Sequence, residues 1–530
     1  MNNIASRKRK MLENICAANA CDDALCNTAL AQLALNAGDR AEINRRILKT
    51  ARWFAGDKCP YLGRDPHGEP DFAAIKLIRL LYMFEDALDD KTLSAVISFF
   101  TDNDFESKYK SENHMLLFRV SRFLFARKYP EKYSAAYGKK FSELLSEDER
   151  FLTEYLTFRL KYGWAEFDSF GYYSEDMQAL LTLYDFAGSS LKLLAKKSAD
   201  FIVTDMLCDC MGEVYCGAHG RVYASEVLNG ENSDMASVYY ICFGGSMPKT
   251  RNTELCLSGY APEVRIYKAY CKKPSVYESR ESHPLHYITE KAPQKQLEYS
   301  GGFINKYTYI TPDYAIGAVN YQNDYPKGSP AAWYAHHQQH EWELTLDGKF
   351  AKIFTHHPGS FGTEGAEHGH WTGDLGCGCG SFFCHKNVLL AMYDIKDGES
   401  LCINAYFPEK EFDGIRETKN FIFAKRGNVF AALWFSNGFN RISDTELLSK
   451  GAKHGVLCYA DTGSDFENFC RRINEKEILF NPFEMTMKFE NLYMEKSARM
   501  INGDTVNFPY PTLCTPFAVS CVGKAGIEYL

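Results

Sequence analysis

The sequence predicts an α+β protein of two domains, with helices first and antiparallel strands second. Before about residue 210, apolar residues recur at spacings of three and four, which is typical of amphipathic helices. After about residue 295, short β-branched and aromatic runs are separated by turn dipeptides such as Gly427-Asn428. A chain of 530 residues is too long for one core, so we predict domains at 1–295 and 296–530.

Six segments of the first part predict helices that are joined by short polar breaks. They are FAAIKLIRLLYMFEDAL, KTLSAVISFF, HMLLFRVSRFLFARKY, DERFLTEYLTFRL, SEDMQALLTLYDFAG and SSLKLLAKKSADFIVTDML. Asp71 is a plausible N-cap for the first of them. Helical hairpins in series fit a bundle, a solenoid or an α/α toroid, and the periodicity alone does not choose among the three.

Six later segments predict the strands of an antiparallel β-sandwich. They are FINKYTYIT, EWELTL, KFAKIFT, NVLLAMYDI, NFIFAKR and NVFAALWF. The intervening stretch from 210 to 295 is rich in Gly, Tyr and Ser and contains SRESHP and EKAPQKQ. We expect long loops and a linker there.

Charge and hydropathy restrict the partners of the chain. With 60 Lys and Arg against 68 Asp and Glu, the net charge is −8, which disfavours a nucleic-acid-binding protein. A polyanionic partner would need a local basic cleft. No run of eighteen apolar residues or signal peptide is evident, so we expect no membrane segment, a cytoplasmic location and mostly reduced, buried cysteines. Homo-oligomerisation stays open.

The first candidate site is the start of the third predicted helix. Ser111 suits the N-cap position, which would place Glu112, Asn113 and His114 in the first turn. Free backbone N–H groups and the positive end of the helix dipole could bind a carboxylate there, and the Asn113 amide would add a neutral donor. The alternative is a helix start with no ligand and a surface His114.

Two loops supply further candidates. Trp164, Glu166, Tyr172 and Tyr173 lie in one aromatic and acidic segment ahead of a helix, where a cleft could form. The second loop runs from Gly217 to Tyr223 and contributes its own candidates, His219, Arg221 and Tyr223. Arginine suits bidentate recognition of a carboxylate or sulfate. The alternatives are a packed aromatic loop and a structural turn.

Histidines of the second domain suggest a metal site. If Asp347-Gly348 forms a two-residue hairpin turn, His340 opposes Thr355 and His357 opposes Gln338. His340 and His357 would then be diagonal neighbours on one face, within reach of one divalent ion, zinc or manganese. The segment HGHWTGDLGCGCGSFFCH offers several candidates for a third ligand, and we take Asp374. Its cysteine spacing does not match an ordinary zinc knuckle.

In combination these motifs resemble the heparinase II/III-like polysaccharide lyases. An E-N-H helix start, an E-F-x-S-x-x-Y-Y loop and a G-R-x-Y turn are followed by H-x-W-x-x-x-L from His340, T-H-x-P-G from Thr355, W-x-G from Trp371 and A-Y-F-P-x-x-x-F-D from Ala405. The resemblance covers about residues 70 to 440. It implies an incomplete α/α toroid before the β-sandwich. The chain departs from the pattern at LGCGCGSFFCH, where a proline-arginine segment is expected.

The resemblance implies a lyase that cleaves a uronic-acid glycan, glycosaminoglycan- or alginate-like, by β-elimination and leaves a 4,5-unsaturated uronate. Asn113 and His114 would neutralise the uronate, His114 or Tyr172 would act in proton transfer, and Tyr173 is the substitute for Tyr172. His219 and Arg221 would bind the sugar, with Trp164 and Tyr223 as stacking rings. No organic cofactor is implied. The alternatives are a toroid glycoside hydrolase and a non-catalytic glycan-binding protein.

Overall fold

The computed structural model describes residues 3–17, 26–53, 70–105, 111–250, 252–284, 303–322, 337–346, 350–358, 371, 374–375 and 378–530. Within these ranges the chain is α+β, with helices in its N-terminal half and antiparallel strands in its C-terminal half. The side chains of Trp53, Gln322, His337, Gln338, Asp374 and Leu375 are not described.

Fourteen α-helices lie in the described residues, and all but the last precede residue 273. They are α1 (Ile4–Ala17), α2 (Asn27–Ala34), α3 (Arg40–Trp53), α4 (Pro70–Met83), α5 (Asp90–Asp102), α6 (Glu112–Lys128), α7 (Leu145–Tyr162), α8 (Tyr172–Phe186), α9 (Ser189–Cys208), α10 (Ala224–Val227), α11 (Met235–Phe243), α12 (Thr253–Leu257), α13 (Val264–Lys272) and α14 (Phe466–Asn474).

The described residues also form twenty-eight short strands. They are β1 (Tyr133–Ser134), β2 (Lys139–Lys140), β3 (Cys210–Met211), β4 (Val214–Tyr215), β5 (Tyr277–Pro284), β6 (Phe303–Ile310), β7 (Tyr314–Gln322), β8 (His337–Gln339), β9 (Trp342–Leu346), β10 (Lys352–His356), β11 (Asp374–Leu375), β12 (Gly380–His385), β13 (Val388–Asp394), β14 (Cys402–Tyr406), β15 (Gly414–Glu417), β16 (Phe421–Arg426), β17 (Val429–Phe435), β18 (Asn440–Arg441), β19 (Glu446–Lys450), β20 (Lys453–Thr462), β21 (Ile478–Asn481), β22 (Thr486–Phe489), β23 (Leu492–Glu495), β24 (Arg499–Ile501), β25 (Asp504–Thr505), β26 (Leu513–Cys514), β27 (Ala518–Ser520) and β28 (Glu528–Tyr529).

Three antiparallel sheets contain most of these strands. In the described chain, the largest has the order β18-β19-β14-β10-β9-β7-β6-β5-β26-β27-β28, the second β12-β13-β20-β17-β16-β15 and the third β21-β22-β23-β24-β25. The first two sheets contact each other where β12 packs against β7, and the thiol of Cys384 lies 3.8 Å from the Ile316 carbonyl oxygen. Their facing apolar side chains belong to the main hydrophobic core.

The predicted helices and strands are confirmed by the structure. The six helical segments lie in α4 to α9, and the six strand segments lie in β6, β9, β10, β13, β16 and β17. Gly427-Asn428 is a two-residue hairpin turn, because Arg426 pairs with Val429 on either side of it. None of the described helices is long and apolar enough to cross a membrane.

One segment predicted as a loop is a central strand. SRESHP belongs to β5, which pairs with β6 along its full length. Its polar side chains conceal the strand pattern, since Ser279, Glu281 and His283 are buried against polar partners and not in an apolar core. The interval also contains the short helices α10 to α13.

The predicted register of the β9–β10 hairpin is also wrong. The Leu346 N–H donates to the Ala351 carbonyl (2.8 Å), and Lys352 pairs with Thr345, so the connection is longer than a two-residue turn. Residues 347–349 lie outside the described residues. This shift of two positions changes the neighbours of every histidine on the hairpin.

Candidate functional site

Glu112 attaches the 164–166 loop to the start of α6. Its carboxylate accepts hydrogen bonds from the backbone N–H groups of Ala165 (3.1 Å) and Glu166 (2.9 Å). Arg159 of α7 lies 2.6 Å from the same carboxylate and supplies the opposite charge. Because all these groups are buried, the loop is fixed against the helix start.

The helix start lies where the sequence predicts it. Ser111 has the extended backbone of an N-cap residue, although its side chain makes no capping hydrogen bond. Asn113 and His114 therefore lie in the first turn of α6. The Asn113 amide donates to Glu166 Oε2 at 2.7 Å, and both side chains are fully buried. Two of the predicted site residues are thus in direct contact.

His114 is paired with a carboxylate on α4. Its Nδ1 lies 2.5 Å from Asp71 Oδ2, and 7% of His114 is exposed. The prediction of Asp71 as an N-cap is wrong, because Pro70 is already helical and Asp71 lies in the first turn. The carboxylate instead fixes the orientation of the His114 ring, as an acid–base histidine requires.

The Tyr172 phenol lies between two other predicted residues. Its oxygen is 2.6 Å from the Tyr223 hydroxyl and accepts a hydrogen bond from Arg221 Nη2 at 3.2 Å. Arg221 also stacks over the Tyr172 ring, 5.1 Å from its centroid. All three residues are partly exposed, and Arg221 adopts a left-handed backbone conformation with φ 51°. Burial raises the pKa of Tyr172 well above its ordinary value, and the Arg221 charge opposes this effect.

Glu166 joins the two groups of contacts. Its carboxylate accepts from Asn113 and lies 3.8 Å from Arg221 Nε. Burial raises the pKa of Glu166 to about 7, and the Arg221 charge limits the rise. Asn113, Glu166, Arg221, Tyr172 and Tyr223 therefore form one continuous polar chain, which runs from a buried helix start to a partly exposed phenol.

Two candidates lie away from this chain. Trp164 is fully buried against Tyr155 and Arg159, so the expectation that it stacks on a sugar is wrong. Tyr173 points away from Tyr172, and its hydroxyl donates to Asp205 at 2.7 Å. The structure thus distinguishes the two neighbouring tyrosines, which the sequence alone could not. Tyr172 contacts the Arg221 cation, and Tyr173 contacts a carboxylate.

His219 connects the loop to the large sheet. Its backbone pairs with that of His340, and its Nδ1 lies 2.8 Å from the Asp168 carbonyl oxygen. The His219 and His340 rings stack at 6.1 Å. Burial lowers the pKa of both imidazoles, so both are neutral near pH 7. The buried position of His219 does not fit the predicted direct contact with a sugar.

The two predicted histidine ligands do not converge. The His340 ring contacts His356, with Nδ1 and Nε2 2.9 Å apart, and Glu343, with Nε2 and Oε2 3.0 Å apart. The Nε2 of His357 instead lies 2.8 Å from the Ser400 carbonyl oxygen. The altered register alone would place His340 opposite His357, but the backbone of His340 leaves the hairpin and pairs with His219, which separates the two histidines. The backbone of Asp374 pairs with Gln339, and its side chain lies outside the described residues.

Sequence reasoning missed a second buried cluster behind the loop. Lys306 of β6 contacts Asp168 and lies 2.9 Å from Asp209 and 3.5 Å from Glu281. The Tyr215 hydroxyl also donates to Asp168. The contributing segments are widely separated in sequence. Lys306 lies in a predicted strand, whereas Asp168, Asp209 and Glu281 lie outside the predicted helices and strands and give no local signal. Asp168 belongs to this cluster, whereas Glu166 belongs to the chain that includes Tyr172.

No model of a known protein family matches this chain, and no curated protein matches it either. The interpretation of the site therefore depends on the contacts of its residues. These contacts provide a histidine–carboxylate pair, a protonated phenol beside a guanidinium and a buried carboxyl that titrates near neutrality.

Proposed function

We propose that the protein is a lyase that cleaves a uronic-acid oligosaccharide or polysaccharide by β-elimination, with an incomplete α/α toroid that carries the site and a β-sandwich beside it. The position of Tyr172 is the observation that carries this proposal. Its phenol contacts Arg221 and Tyr223 at the partly exposed end of the polar chain that begins at Asn113. The packing of β12 against β7 supports the sandwich.

The two proton transfers of the reaction need a base and an acid. The raised pKa of Tyr172 favours a neutral phenol at pH 7, which suits protonation of the leaving oxygen at C4. His114 is the base that removes the C5 proton in this proposal, because Asp71 orients its ring and stabilises the imidazolium that forms. Arg221 holds the phenol in place.

The uronate carboxylate must be neutralised before the C5 proton becomes acidic enough to remove. Arg221 and Asn113 both contact Glu166, and Arg221 is the partly exposed one of the two donors. In this proposal the substrate carboxylate competes with Glu166 for Arg221, and the fully buried Asn113 acts through its hydrogen bond to Glu166. The pKa of Glu166, about 7, allows its charge to be lost by protonation when a second carboxylate approaches.

A toroid glycoside hydrolase is the second candidate, and the pKa of Glu166 favours it. A carboxyl that titrates near 7 suits a general acid. Hydrolysis also needs a second carboxylate across the scissile bond. Asp168, the nearest in sequence, is held by Lys306 and Tyr215 in the other cluster, which favours elimination.

The location and the substrate size belong to the same proposal. The buried Cys208, Cys216 and Cys458 are free thiols, as expected of a protein in the cytoplasm. A cytoplasmic lyase would meet imported oligosaccharides, so oligosaccharides are the substrates to test first.

Elimination and hydrolysis are distinguished by the product. A panel of uronic-acid oligosaccharides is incubated with the protein, and ultraviolet absorbance of the unsaturated uronate and new reducing ends are measured together. We expect both signals on at least one substrate, and a loss of at least about a hundredfold in Tyr172→Phe. Tyr133→Phe, at an exposed position, is the matched control and should keep full activity.

Three other outcomes would contradict the proposal. Reducing ends without ultraviolet absorbance would identify a hydrolase. Binding of the oligosaccharides without any product would identify a glycan-binding protein. Equal turnover by wild type and Tyr172→Phe would remove Tyr172 from the proton-transfer step.

A further inference from the structure

The cluster around Lys306 contains more negative than positive charge. Asp168, Asp209 and Glu281 contact the Lys306 ammonium, and Asp205 lies close enough to interact electrostatically with it. All five side chains are almost completely buried. Four carboxylates face one ammonium, so full ionisation would leave three negative charges in the interior. Charge of this kind is too costly to bury without further cations or protons.

His283 adds a lone pair that faces this cluster. Its Nδ1 lies 3.1 Å from the Trp164 carbonyl oxygen, which can only accept, so Nδ1 carries the proton. Its Nε2 therefore presents a lone pair, and this atom lies 3.3 Å from Glu281 Oε2. Two acceptors face each other and need a proton or a metal ion between them. A histidine whose second nitrogen donates to a backbone carbonyl is the usual arrangement of a metal ligand.

Asp205 provides an independent observation. Its Oδ2 accepts from the Tyr173 hydroxyl, whereas its Oδ1 is buried and has no hydrogen-bond partner among the described residues. Buried carboxylate oxygens are almost always satisfied in folded proteins. Asp205 interacts electrostatically with Asp168, Glu281 and Lys306, which places it in the same pocket of charge.

We propose that Asp168, Glu281 and His283 bind one divalent transition-metal ion, zinc or manganese. Each residue offers a ligand atom, and the three atoms lie within 4.8 Å of one another. An ion bonded at about 2.1 Å holds tetrahedral ligands about 3.4 Å apart, so the ligand atoms must approach one another by at most about 1.4 Å to complete the site. One imidazole nitrogen with two carboxylate oxygens suits zinc or manganese better than calcium, which takes oxygen ligands.

The charge balance supports this assignment. A divalent ion reduces the net charge of the cluster from −3 to −1, and Lys306 keeps its contact with Asp209. The ion would also fix the loop of the catalytic site from behind. Asp168 is part of that loop, and the His283 ring holds the Trp164 carbonyl. The site is distinct from His340 and His357 and does not depend on the proposed reaction.

Metal content is the direct test. The full chain is expressed in medium supplemented with zinc or manganese and dialysed into metal-free buffer, and the metal is quantified by mass spectrometry. We expect about one equivalent in the wild type and less than about a fifth of that in His283→Gln and Glu281→Gln. His454→Gln is the matched control, since His454 is equally buried but contacts Ser449 and Asn437 near the second sheet.

X-ray absorption of the loaded wild type tests the ligands even if a variant fails to fold. We expect nitrogen and oxygen neighbours at about 2.1 Å with the scattering of one imidazole. Sulfur neighbours would place the ion at cysteines and overturn the assignment. Wild type with less than about a tenth of an equivalent of either metal, or His283→Gln with as much as wild type, would also overturn it.

Discussion

Replacement of Glu166 by glutamine should stabilise the protein at alkaline pH and change its stability much less at acidic pH. Glutamine resembles the protonated carboxyl and keeps an oxygen that can accept from Asn113. In the wild type, the buried carboxylate is costly once it ionises, because the Arg221 charge and the Asn113 hydrogen bond compensate its charge only in part. The variant removes this cost.

The pKa of Glu166 gives the magnitude and the sign. The folded state raises it from 4.5 to about 7, so the folded protein holds this proton more tightly than the unfolded chain. The stability that this proton gives the folded protein is fully present below pH 4.5 and is lost as pH rises through about 7. The pKa values of the folded and unfolded states differ by about 2.5, and each unit of that difference is worth 1.36 kcal/mol, so the proton contributes about 3 kcal/mol of stability. Roughly 2.5 kcal/mol of this stability is lost between pH 5 and pH 8.

The assay is urea denaturation of wild type and Glu166→Gln at pH 5 and pH 8, followed by tryptophan fluorescence. The stability of the variant relative to wild type should increase by roughly 2.5 kcal/mol between the two pH values. Glu149→Gln, at an exposed position of α7, is the control and should differ from wild type by less than about 0.5 kcal/mol at both. An equal difference at pH 5 and pH 8 for Glu166→Gln would refute the titration of Glu166 in this range.

Two further substitutions test how the loops are held. Glu112→Gln removes the charge opposite the buried Arg159 and should cost roughly 3–5 kcal/mol in the same denaturation assay, whereas a change below about 1 kcal/mol would show that the loop does not depend on this carboxylate. Gly217→Ala should cost roughly 1–3 kcal/mol, because φ is 90° and the new Cβ would lie 2.8 Å from Thr308 Oγ1. Gly212→Ala, at φ 60° with no atom within 4 Å, separates backbone strain from this clash, and equal losses in both would exclude the clash.

The sequence predicts the regular elements well where one face of an element is apolar. The segments of α4 to α9 have apolar residues at helical spacing, and these residues are buried in the structure. Strand β5 lacks this signal because its inward side chains include Ser279, Glu281 and His283. A strand that faces a buried polar cluster looks like a loop in its sequence, so prediction fails where the polar cluster lies.

The candidate site was predictable in composition and not in its contacts. The motifs point to Asn113, Tyr172 and Arg221, but their proximity depends on Glu112, which attaches one loop to the start of a distant helix. The hairpin histidines show the opposite case. There a local geometric rule predicted that His340 and His357 are neighbours, but His340 pairs with His219, a residue that is distant in sequence. Contacts that depend on packing between distant segments are not encoded in local spacing.

The loop that carries Glu166 and Asp168 shows why its two carboxylates have different roles. Glu166 contacts Asn113 and Arg221 on one side, and Asp168 contacts Lys306 and Tyr215 on the other. The backbone reverses between them, because Asp168 has φ 49°. A change of charge at the Lys306 cluster would therefore alter the position of Glu166 through a connection of two residues. For this reason, an ion bound by Asp168 would affect the proposed acid–base site without any contact with a substrate.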